Sequence, residues 1–145
     1  MKKIIFLLFV TVTLSNSVNA QTDNAKIEKA IISYIENFFG NNFEAMNANL
    51  HPRLSKRGLN PDGTIYEDLP PAKLKVMLSQ KPVFPKKDQN NSVEDITVFG
   101  KTATAKLITG FPRMRWIEWV TLVKVGDDWK IMNLFWEYFP KKKKN

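Results

Sequence analysis

Near Asn91 the spacing of apolar residues changes from helical to alternating, and that change restricts the chain to few architectures. Before it, Ile27, Ile31, Tyr34, Ile35 and Phe38 recur three or four apart, which predicts a helix over 23–39 with Thr22 or Asp23 as N-cap and Gly40 as stop. Asn41 or Asn42 then caps a shorter helix through Phe43, Met46 and Leu50, which His51 and Pro52 end. Asn60, Pro61, Asp62 and Gly63 form a strong turn signal flanked by stretches able to pair as a hairpin. Pro70 or Pro71 suits the first turn of a third helix, with Leu74, Met77 and Leu78 on one side until Pro82. After Asn91 come four strand-like runs, 93–99, 102–109, 113–125 and 129–139, joined by connections so short that neighbours must be antiparallel. Helices first and strands afterwards describe an α+β fold in which helices cover one face of a curved antiparallel sheet.

The last strand refines this picture. Trp129, Ile131 and Phe135 alternate onto one face, and Met132, Leu134, Trp136 and Tyr138 onto the other, so neither face is made for water. One face meets the helices; the other is expected to meet a second copy of the chain in a homodimer.

Residues 1–20 read as a cleavable export signal. Lys2 and Lys3 precede an apolar stretch at 4–14, and Val18 and Ala20 occupy the small-residue positions of a cut after Ala20. Eleven residues are too few for a bilayer span, which takes about 20, so no stable membrane anchor is expected and the protein is placed in the periplasm or medium. The chain has no cysteine, so no disulfide can brace it there. Residues 21–140 then form a single domain and 141–145 a basic tail. The formal charge of +8 does not mark a nucleic-acid binder: of 22 basic residues, two leave with the signal and four lie in Lys141–Lys144, which leaves 16 against 14 acidic ones.

The segments His51-Pro52-Arg53-Leu54-Ser55-Lys56-Arg57 and Asp128-Trp129-Lys130-Ile131-Met132-Asn133-Leu134-Phe135-Trp136-Glu137, in this order of elements, resemble the lumazine-binding family of the nuclear transport factor two-like superfamily. The resemblance runs from about Ala25 to Tyr138. It implies a cone-shaped fold whose helices and concave sheet enclose a pocket, often as a homodimer, and a function in small-molecule binding without an assigned catalytic residue. Superfamily members also include isomerases and dehydratases, and a scaffold does not fix a reaction. One departure is the turn Gly126-Asp127-Asp128, where the glycine is expected one place later; Asp127 is then expected in the left-handed position.

Candidate site residues follow from chemistry. His51, the only histidine, is either a general acid or base at the pocket mouth or a helix C-terminal cap. One histidine without cysteine argues against a metal site, and no cofactor motif is present. With a hairpin turning through 125–128, Val120 pairs with Asn133, Glu118 with Phe135 and Trp116 with Glu137, which puts Trp116, Glu118, Asn133 and Glu137 on the concave face. Glu118 among aromatics is the candidate base of an isomerase- or dehydratase-type enzyme; the alternative pairs it with Arg113, Arg115 or a lysine on a wet face. A shift of one residue reverses these assignments. Trp116, Trp119 and Trp136, with Tyr34 and Phe38 from the first helix, are candidate walls for a flat apolar ligand. The expected function is an exported, non-enzymatic small-molecule-binding protein, with acid/base catalysis in the same pocket as the alternative.

Overall fold

In the computed structural model, which describes residues 22–139, helix α1 (22–39) and helices α2 (Phe43–Asn47) and α3 (Pro71–Gln80) lie on one side of a five-stranded sheet. The strands are β1 (Leu50–Leu59), β2 (Ser92–Phe99), β3 (Thr102–Phe111), β4 (Met114–Val125) and β5 (Asp128–Tyr138), in spatial order β1-β5-β4-β3-β2. The segments read as an export signal and a lysine tail lie outside the described residues.

The meander of β2 to β5 is antiparallel as predicted, but the sheet is mixed, because β1 joins β5 in parallel. The stretch around His51 and Pro52 therefore ends no helix. α2 stops at Asn47, and Leu50 already pairs with Ile131. Pro52 hid this strand, since proline cannot donate to a ladder. β1 is an edge strand that slips between Leu50 and Ser55, and the proline sits in the slip. The expected hairpin survives as one bridge, Leu59 to Ile65, after which Tyr66 and Leu69 donate back to the carbonyls of Gly58 and Lys56.

The β4–β5 register follows the expected one only as far as Leu122 with Ile131. There a bulge inserts Met132, so Thr121 pairs with Asn133, Glu118 with Trp136 and Trp116 with Tyr138. Leu134 and Trp136 thereby turn to the helix side with Trp129 and Ile131, while Asn133 and Glu137 turn outward and are exposed. At the hairpin tip Gly126, at φ 61°, takes the left-handed position assigned to Asp127.

α1 carries Ile27, Ile31, Tyr34 and Ile35 into the core against Leu122, Ile131 and Leu134 of the sheet. Its first turn is tied to the β4–β5 tip, where Asp23 accepts from Lys124 Nζ at 2.8 Å and Trp129 Nε1 at 3.0 Å. Eleven residues on, Tyr34 meets Glu118 of β4. That helical rise of roughly 16 Å approaches the roughly 20 Å spanned by six strand residues, so helix and strand run side by side. The helix ends in a Schellman arrangement: Asn42 N–H donates to Asn37 at 3.0 Å and Asn41 N–H to Phe38 at 3.5 Å, with Asn41 at φ 57°. Gly40 is thus the last half-turn rather than the left-handed stop.

Candidate functional site

Three buried polar side chains meet between α1 and the sheet. Lys56 of β1 lies 2.8 Å from Glu118 Oε1, and the two are 3% and 1% exposed. Lys56 Nζ also donates to the Tyr34 hydroxyl at 2.8 Å, and that hydroxyl donates to Glu118 Oε2 at 3.0 Å. Trp116 Nε1 completes the cluster with a 3.0 Å bond to Glu118 Oε1. Strand alternation aims these groups inward: Leu54, Lys56 and Gly58 on β1, Trp116, Glu118 and Val120 on β4. An ion pair without water survives only when its remaining donors and acceptors are met, which Tyr34 and Trp116 do here. Burial, then the neighbouring Glu118 carboxylate, push the Tyr34 hydroxyl well above the ordinary phenol range, so it stays a neutral donor.

Above this polar floor opens a cavity of about 230 Å³, bordered by Lys56, Glu118, Trp116 and a mostly aromatic and aliphatic wall. Phe84 and Phe111 stack at 4.4 Å between centroids, and Phe39 stands edge-on to Phe84 at 6.0 Å. Trp116 lies 5.6 Å from Phe39 and 6.0 Å from Tyr138. Trp136 reaches the cavity because its β1 neighbour is Gly58: a Cβ there would fall 2.1 Å from the indole. Lys81, just past α3, is the other charged residue of the wall among the described residues. Asn41 holds its carbonyl at 2.6 Å, and its ammonium lies 4.9 Å from the Phe38 ring and 5.9 Å from that of Phe84. Burial lowers its pKa to about 8. A wider groove of about 830 Å³ adjoins the cavity through Met114 and Tyr138 and carries Arg113, Arg115 and Glu137.

Of the residues singled out in the sequence, Phe38, Trp116, Glu118 and Trp136 border the cavity and Tyr34 supports its floor. His51, Trp119 and Asn133 lie elsewhere. His51 sits in the irregular part of β1, where Nδ1 accepts from the Arg53 N–H at 3.1 Å, so it caps no helix. Trp119 points from the opposite sheet face and is 53% exposed. Asn133 was displaced by the Met132 bulge. Glu118 does pair with a lysine, but in the interior and not on a wet face. Lys56, Lys81, Phe39, Phe84 and Phe111 also border the cavity, and apart from Lys56 nothing in the local sequence marks them. A lysine at Leu54-x-Lys56-x-Gly58 alternates with the apolar positions of a strand, a signal that Pro52 obscured. Among the described residues no cluster of His, Cys, Asp and Glu could hold a metal ion, and no helix is long and apolar enough to cross a membrane.

Residues 22–137 match the family described as "Putative lumazine-binding". The chain belongs to this family. Among solved structures it is similar to an NTF2-like protein of unknown function from Shewanella baltica, at 17% identity and TM-score 0.71, covering 84% of this chain and 97% of that one. A second NTF2-like protein of unknown function, from Silicibacter pomeroyi, gives 13% identity, TM-score 0.73 and coverages of 83% and 98%. A ketosteroid isomerase-like protein from Erwinia carotovora atroseptica gives 14%, 0.60, and 80% and 95%. These likenesses establish the NTF2-like α+β fold. No curated protein matches the sequence.

Proposed function

We propose that this chain is an exported, non-enzymatic binding protein whose cavity takes a small, flat, mostly apolar molecule, with residues 1–20 removed on export. The observation that carries the reading is the composition of the cavity: aromatic and aliphatic walls over a polar floor whose groups already satisfy one another. At about 230 Å³ the space is below the roughly 300–1,000 Å³ of drug-sized sites, which favours a ligand of one or two rings.

Acid/base catalysis is the second reading, favoured by the Glu118 carboxylate at the cavity border and by the ketosteroid isomerase-like neighbour. Against it, Oε1 already accepts from Lys56 and Trp116 and Oε2 from Tyr34, which leaves at most one lone pair, on Oε2, to reach a substrate proton. Native mass spectrometry of protein purified from its own host separates these outcomes from an empty module. A retained, unmodified small molecule released on denaturation is expected; its chemical conversion on addition back to the protein, lost in Glu118→Gln, would favour the enzyme, and repeated recovery of bare protein would remove support for a stable ligand.

A further inference from the structure

We infer that the cavity selects a small aromatic carboxylate, a benzoate-like monoanion, whose charge is held by Lys81. The inference rests on the cavity being a ligand site and adds which charge the ligand carries. Among the described residues three charged ones border the cavity: Lys56, Glu118 and Lys81. The first two cancel each other across 2.8 Å, so the wall keeps one net positive charge, at Lys81. Among the described residues Lys81 enters no ion pair, while Glu36 pairs with Lys86 and Glu44 with Lys75.

What Lys81 does have are two long contacts, to the carbonyls of Phe39 at 3.4 Å and Pro82 at 3.5 Å. The Phe39 carbonyl at the end of α1 and the Pro82 carbonyl beyond α3 steady the ammonium with partial charge without neutralising it. The head group therefore sits between two rings of the wall, part-desolvated and without an anion, a state that costs free energy until one arrives. Its lowered pKa, about 8, reports the same cost, and still leaves most of the population protonated near neutrality. A carboxylate supplies one negative charge, whereas a dianion would bring an uncompensated charge into an apolar wall and a cation would meet like charge. The Phe84–Phe111 stack and the indoles of Trp116 and Trp136 call for an aromatic body.

Benzoate and benzamide share shape and differ in charge, so their titration by calorimetry at pH 7 and low salt tests the point. The expected result is a preference for benzoate of about tenfold, the order of one partly desolvated ion pair, that shrinks as salt is added. Lys81→Met, which keeps the apolar stem, should bring the two probes to parity with benzamide affinity little changed, and Lys81→Arg should restore the preference. Equal binding of both probes to the parent, or a preference that survives Lys81→Met, overturns the role of Lys81 while leaving the cavity a ligand site. Binding of neither probe by a folded parent chain counts against the cavity reading itself and the inference with it.

Discussion

At the scale of residues, the cluster of Tyr34, Lys56, Glu118 and Trp116 is where physical chemistry leaves least freedom. Among the described residues each member is satisfied by the others, so removing one strands its partner in a largely apolar surrounding that solvates it poorly. Glu118→Leu should cost about 3–5 kcal/mol, because it abandons the Lys56 ammonium in the core. Adding Lys56→Met to that variant should recover most of the loss, since the uncompensated charge goes with it. Urea denaturation of the parent, both single variants and the double variant measures the coupling, and strict additivity would show that the pair is not energetically closed. Glu118 was legible in the sequence as a carboxylate among aromatics, but its partner was not. Lys56 lies 62 residues away on a strand whose proline disguised it, and nothing local marks a lysine as inward-facing.

At the scale of elements, helix periodicity and glycine-bounded alternation located α1, α3 and the four-strand meander within a few residues, because burial of one face imposes those periods directly. Two features escaped for physical reasons. The parallel pairing of β1 with β5 is a long-range contact that no local pattern encodes, and the Met132 bulge changes register without changing composition. That single inserted residue decided which of Asn133 and Trp136 faces the cavity. The tie between α1 and the β4–β5 tip carries a pH dependence. Hydrogen bonds from Lys124 and Trp129 hold the Asp23 carboxyl below its ordinary value of 3.8. A lowered native pKa means the unfolded state binds more protons in this range, so the stabilisation is complete above about pH 4 and is lost as pH falls through the native pKa. Acid unfolding followed by circular dichroism should be less steep for Asp23→Asn below pH 4; an unchanged slope would show that the tie adds nothing.

At the scale of the whole molecule, the two sheet faces have different tasks. The inner face closes on the helices and the cavity; the outer one leaves Trp119 half in solvent beside its ladder partner Phe135. We propose that a second copy covers this face, which gives the apolar outer residues a reason that a monomer lacks. Sedimentation equilibrium at micromolar protein should return a dimer mass for the chain and a monomer mass for Trp119→Glu, whereas a clean monomer of the parent would rule the interface out. On the proposed function, a guest molecule enters between α1 and the sheet. The four tryptophans divide cleanly for this purpose: Trp116 and Trp136 border the cavity, Trp129 is buried at the far tip beside Asp23, and Trp119 faces outward. In a two-dimensional nitrogen–proton NMR titration with benzoate, the indole resonances of Trp116 and Trp136 should move while those of Trp119 and Trp129 stay. Movement confined to Trp119 and Trp129, or no indole movement up to saturating probe, would contradict the account.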